Sequence, residues 1–193
     1  MPSTPLFAPD EFFTQRTPSL LSAGMILLLA GIVAVASAAP YINQVSSIEF
    51  STGTLIVSVL IGGAIGAAGI WTVGTVAVYL LTAVAGGSGS IVRVAANVGW
   101  SSLPLLLVNT ISTVIIWALA LSGELSMVTP PEIQFPLWLR VFSAVVGGVG
   151  YLWIGYILTY GIHNARRLAV RKSAIIAGTI VFLPILSNVF RLL

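Results

Sequence analysis

The sequence predicts an all-α, polytopic membrane protein: a five-helix transmembrane bundle preceded by a short N-terminal interfacial segment. Three observations predict it. Hydrophobic residues make up 58% of the 193 residues and charged residues only 7%, whereas a soluble domain carries roughly 25% charged side chains. Mean hydropathy is +1.07. The apolar residues also fall into five stretches, each long enough or nearly so to cross a hydrocarbon core of about 30 Å at about 1.5 Å per helical residue.

The first span covers about 20–39 and contains no charge; Pro40, Asn43, Gln44 and Glu49 end it. Ala36-Ser37-Ala38 looks like a leader cleavage site, but Asp10 and Glu11 stand where a leader needs basic residues. The apolar run also exceeds the roughly 7–15 residues of a leader core, so the segment is read as a retained span. The second span, about 54–85, is longer than a crossing requires and must tilt, kink or protrude. Gly86-Gly87-Ser88-Gly89-Ser90 closes it as a tight interfacial turn. The third, 94–121, carries Pro104. The largest loop, 122–136, follows with Glu124, Pro130-Pro131 and Glu132. The fourth span covers 137–162 and the fifth 173–190, with Pro184 inside. Residues 1–19 thus form the interfacial segment and 20–193 the transmembrane domain. A short helix starting at Pro9 is expected to lie on the inner interface, sinking Phe12 and Phe13 while Asp10 and Glu11 stay wet.

Charge sets the orientation, because cytoplasmic loops are rich in Lys and Arg. With the N-terminus inside a cell membrane, Arg16, Arg93, Arg166, Arg167, Arg171 and Lys172 fall inside, against Arg140 and Arg191 outside. Glu49, Glu124 and Glu132 then also fall outside, as does the C-terminus. Labelling that found Thr129 cytoplasmic would reverse this assignment.

Few groups suit chemistry. There is no cysteine and one histidine, so neither thiolate nor His-built metal sites are expected. The glycine turn lacks the lysine of a phosphate-binding loop, so no nucleotide, nucleic acid or other cofactor is expected. No Asp or Glu lies within a span, and Asp10 is the only aspartate, which excludes a Ser–His–Asp arrangement. Asn97 and Asn109 are expected to hydrogen-bond across helices, and His163 to sit at the interface. Trp71 and Trp153 read as packing residues, Trp100 and Trp138 as belt residues near span ends. Gly62 and Gly66 form a small-xxx-small pair that lets a helix backbone approach. The smooth face opposite them is expected from Gly147 and Gly150 of the fourth span, with a homo- or hetero-oligomer seam as the alternative. The basic residues Arg93, Arg166, Arg167, Arg171 and Lys172 are candidates for gripping anionic headgroups or a partner.

The arrangement resembles the Yip family of small five-span membrane proteins. The resemblance rests on Pro9-Asp10-Glu11-Phe12-Phe13 before the first span and on the glycine-rich turn ending at Arg93. It continues through Gly99-Trp100-Ser101-Ser102-Leu103-Pro104, similar to the family's Gly-Tyr-x-x-x-Pro with Trp in place of Tyr, and the basic loop His163–Lys172. It implies fold and topology. Eukaryotic members act in endoplasmic reticulum and Golgi trafficking and bind Rab GTPases through a long cytosolic N-terminal region. Fewer than twenty residues precede the first span here, so the resemblance is to the short prokaryotic type and Rab binding is not carried over. The function expected is non-enzymatic: organising membrane or recruiting partners. A small permease or channel subunit is the alternative, with Pro104 and Pro184 as its helix breaks.

Overall fold

A computed structural model describes residues 4–40, 42, 49–124 and 135–190. Asn43, Gln44, Thr129, Pro130, Pro131, Glu132 and Arg191 lie outside the described residues. Among the described residues the helices are α1 Pro9–Gln15, α2 Leu20–Ala36, α3 Thr52–Val84, α4 Ile91–Ser101, α5 Leu103–Leu121, α6 Leu137–Arg166 and α7 Val170–Phe190. Four units, with α4 and α5 taken as one, are long and apolar enough to cross a membrane; α2 is a shorter apolar helix.

Three helix starts follow one rule. Ser19, Ser51 and Ser90 each cap a helix by accepting the N–H three residues on, from Ser22, Thr54 and Arg93, which satisfies a donor that the helix cannot. The third span is broken, not continuous. Pro104 has no N–H and its ring crowds the carbonyl a turn before it. The chain answers with a break at Ser102, and Pro104 sits in the first turn of α5. Ser101 and Ser102 turn their hydroxyls back onto the carbonyls of Asn97 and Val98, at 2.7 and 3.0 Å.

At 17 residues, α2 spans only about 26 Å. Its last carbonyls therefore end within or at the edge of hydrocarbon, where each must find a partner. Each does. Thr113 Oγ1 donates to Val33 O (2.8 Å) and Trp117 Nε1 to Ala36 O (3.0 Å). Ser37 Oγ donates to Ala34 O and the Ala38 N–H to Val35 O. One turn deeper, Asn109 Nδ2 donates to Ala30 O at 3.0 Å. Asn109, Thr113 and Trp117 recur every fourth residue, so one face of α5 presents all three donors to α2.

The glycine seam differs from the expected one. A Cβ on Gly63 would lie 2.6 Å from Ile32 Cα, and a Cβ on Gly31 would strike Gly63 O. Thus α2 and α3 touch backbone to backbone through Gly31, Gly63 and Ala67. Gly62 is at the edge of this seam, 3.7 Å from Val35, and Gly66 meets nothing within 4 Å. One helical residue turns the side-chain direction by about 100°, which carries the Gly62–Gly66 pair off the contact. Nor do Gly147 and Gly150 face α3: their missing side chains make room for Asn188 of α7 and Val108 of α5.

Helix α1 starts at Pro9 as expected, but its phenylalanines enter the protein instead of the bilayer. Phe12 and Phe13 are 3% and 1% exposed, packed with Ile157, Trp100, Trp153 and Tyr160. Trp153 Nε1 donates to Leu6 O at 2.9 Å, and Thr14 Oγ1 to Asn164 Oδ1 at 3.2 Å.

Gly63→Leu is expected to prevent stable folding in detergent, because the side chain must push two backbones apart. Gly66→Leu should melt within a few degrees of the parent. Parallel melting curves of the two variants check the register; equal losses would put the seam elsewhere.

Candidate functional site: the basic end of the bundle

The end of the bundle that carries α1 is organised by the glycine turn. Helix α3 stops there because Gly86 adopts φ +87°, the left-handed conformation that glycine takes most cheaply. The N–H groups of Gly86 and Gly87 then bond back to Ala83 O and Thr82 O, at 3.0 and 2.8 Å, closing α3 in a Schellman arrangement. A Cβ on Gly89, at φ +144°, would collide with Ala165 O, so a side chain has no space there. The Ser88 N–H donates to Arg166 O at 2.9 Å. The turn is thereby fastened onto the end of α6.

Arg166 holds the fastening from inside. It is 2% exposed. Its Nε donates to Thr82 Oγ1 at 2.9 Å, Nη2 to Gly87 O at 2.8 Å and Nη1 to Gly89 O. The guanidinium carbon lies 4.4 Å from the centroid of the Tyr79 ring, within cation–π range. This charge is satisfied by carbonyl dipoles, a hydroxyl and a ring face. A lysine lacks the planar fork that serves three acceptors at once.

The five basic candidates therefore divide. Arg166, expected among the headgroup contacts, is structural: its donors point into the protein. Arg93, Arg167, Arg171 and Lys172 are exposed. Lys172 Nζ lies 3.3 Å from Ala85 O, where it complements the C-terminal end of α3. Arg93 stands in the first turn of α4, three residues beyond the glycine turn. Arg167 is the one non-glycine among the described residues with positive φ, at +54°, a conformation costing about 1–2 kcal/mol for a side-chain-bearing residue. His163 Nδ1 contacts Leu168 O at 2.5 Å; a carbonyl only accepts, so Nδ1 carries the hydrogen. The ring ties the α6–α7 loop down.

Deeper in, polar side chains mostly serve neighbouring backbones. Asn97 Nδ2 donates to Gly161 O at 2.8 Å, and Trp71 Nε1 to Ala95 O at 2.8 Å. Gly99 lets α4 approach Ala23 until a Cβ there would stand 2.6 Å from Ala23 Cβ. Beside it Trp100, expected in the interfacial belt, is half-buried: its Nε1 donates to Ser22 Oγ at 3.0 Å and its ring stacks 5.0 Å from Phe12. Gly99, Trp100 and Pro104 thus join α4 to α2 and α1 and set the α4–α5 break. Among the described residues, no group of His, Asp and Glu side chains is disposed to hold a metal.

This geometry has a counterpart: a family model described as the Yip1 domain matches residues 4–190. The chain belongs to the Yip1-domain family. No curated protein and no solved structure matches it. The Yip1 match covers the glycine turn, the Gly99–Pro104 segment and the basic loop together, so the resemblance read from those motifs holds along almost the whole chain.

The burial of Arg166 was not legible in its neighbours along the chain. The signal lay 77 residues earlier, in a glycine turn whose carbonyls no helix uses. Arg166→Lys should lower the melting temperature in bilayers and loosen the turn. Hydrogen bonds from a charged donor are worth about 1.5–3 kcal/mol each, and losing one or two of them implies about 3 kcal/mol. A cysteine introduced at Ser88, in a chain with none of its own, should label faster in that variant.

Proposed function

We propose that this Yip1-domain protein works without chemistry, as an integral organiser of the cell membrane whose exposed basic end, on the cytoplasmic side, engages anionic headgroups. The observation carrying the reading is the division of the basic cluster. One arginine is spent on the fold, while Arg93, Arg167, Arg171 and Lys172 are exposed around the glycine turn. Arg167 keeps a long cationic side chain at a left-handed position where glycine would cost less, which favours a use for that side chain. N-terminus inside and C-terminus outside is the orientation this reading requires, and the six-to-two distribution of basic residues supports it.

The carrier reading finds less support. A crevice does lie beside the break at Ser102 and against Pro184, through which α7 runs unbroken, but the two serine hydroxyls there are committed to carbonyls of their own helix. Transported polar solutes need convergent polar groups or half-helix ends, and the lining is dominated by apolar side chains.

Changing Arg93, Arg167, Arg171 and Lys172 together to Gln, with Arg166 retained, tests the proposal. Orientation must be confirmed first with single introduced cysteines, one of them at Thr129. The parent should be stabilised by phosphatidylglycerol over phosphatidylcholine by up to about 4 kcal/mol, at about 1 kcal/mol per basic residue near the surface. The effect should shrink as salt rises. Equal stabilisation of parent and variant would reduce these charges to orienting signals.

A further inference from the structure

Helices α3 and α7 meet in an apolar cluster toward the basic end. There Val78, Val94, Leu158, Ile176 and Ala177 form the main apolar cluster. Farther along a gap lies between them, and α3 makes little contact with α6. The gap is a crevice of about 430 Å³, within the range of about 300–1,000 Å³ typical of ligand pockets. Its walls are Gly69, Val73 and Gly74 of α3, Ile154 and Leu158 of α6, and Pro184 of α7, with the α4–α5 break at its back. Gly69 has open space where a side chain would be, and a Cβ on Gly74 would reach only to 3.7 Å from Val98. Ile70 and Val73 at its rim are 61% and 70% exposed, so the crevice opens sideways into hydrocarbon.

We infer that this crevice seats one acyl chain of a phospholipid from the leaflet at the basic end. Three properties select that occupant. The lining offers aliphatic surface, and the hydroxyls of Ser101 and Ser102 are already bonded to Asn97 O and Val98 O, so a polar solute gains nothing there. Water does not fill such a space, because it would find too few partners. Charge and depth also agree. Val78, at the crevice's upper end, lies seven residues below Ala85 on α3, about 10 Å by helical rise. Lys172 Nζ stands beside Ala85 O, with Arg93 and Arg171 exposed in the same region. An anionic headgroup held at these cations places its chain alongside the crevice. Filling the slot also restores the dispersion contacts that an empty gap forfeits.

The orientation of this lipid rests on the headgroup reading above; the crevice itself does not. The test reconstitutes the full chain in phosphatidylcholine vesicles doped with phosphatidylglycerol or phosphatidylcholine carrying a mid-chain diazirine. Photolabelled residues are then mapped by mass spectrometry. Ile154, Leu158 and Ile180 should label severalfold more than Leu152 and Val114, which are 64% and 62% exposed on outward faces. The double variant Gly69→Leu/Gly74→Leu fills the slot with little strain. Its crevice labelling should fall severalfold while Leu152 and Val114 label as before and its melting temperature holds. Crevice labelling no higher than that of the outward residues, or unchanged in the filled variant, overturns the inference. Equal labelling by the two probes supports the crevice and counts against the headgroup reading. Stabilisation by phosphatidylglycerol without crevice labelling keeps the headgroup reading and overturns the crevice.

Discussion

In hydrocarbon a helix gains nothing by hiding a leucine, because lipid tails are as apolar as the leucine itself. Association must come from close backbone contact and from hydrogen bonds, and this bundle uses both in ways that fix its register. Where backbones touch, small residues stand on both sides: Gly31 against Gly63, Gly99 against Ala23. Where they stand farther apart, a side-chain donor bridges to a carbonyl, as from Asn109, Thr113 and Trp117 to α2 or from Asn97 to Gly161. A carbonyl retains a second lone pair after its helical bond. The bridges to Ala30 O and Gly161 O therefore add an interaction without removing one, while those to Val33 O and Ala36 O satisfy last-turn carbonyls of α2.

The same rule explains a buried arginine without a carboxylate. An acid facing Arg166 would have to be desolvated as well, and such pairs often fail to recover that cost. Carbonyl groups of a glycine turn carry no net charge and cost less to desolvate than a carboxylate. Using them, one guanidinium joins the end of α3, the turn and the end of α6. The turn in turn starts α4 through the Ser90 cap. Four of the described helices are then referenced to one side chain, since α7 follows Arg166 after three residues.

What the sequence disclosed and what it withheld separate along this line. Span length depends on hydrocarbon thickness, a one-dimensional constraint, so apolar run length was enough to find four long apolar helical units and the shorter α2. The cross-helix roles of Asn97 and Asn109 were also legible, since an amide in lipid must find a partner and a neighbouring backbone is the nearest one. Which face of a glycine-rich helix makes contact is a rotational question, and in a run such as Gly62-Gly63-Ala64-Ile65-Gly66-Ala67 several faces are equally smooth. Gly63 differs from Gly62 only by facing Gly31. The phenylalanines of α1 failed for a related reason: amphipathicity identifies an apolar face but not whether lipid or protein covers it. Here protein covers it: Phe12 and Phe13 pack with Ile157, Trp100, Trp153 and Tyr160.

Commitment of the interior also constrains where activity can reside. Among the described residues, only Thr75 Oγ1, Asn97 Oδ1 and Ser173 Oγ are buried side-chain polar atoms without a protein partner, and none is a carboxylate or an imidazole. The one histidine is tied to Leu168 O at the loop. Two features among the described residues bear on a lipid: exposed cations at one end, and aliphatic surface in the crevice between α3 and α7. A phospholipid has one part matching each. The separation between them follows from the fold itself, because the α3–α7 contact that closes the top of the crevice lies just beneath the turn that the cations surround. A lipid bridging both would therefore report on the junction that Arg166 maintains.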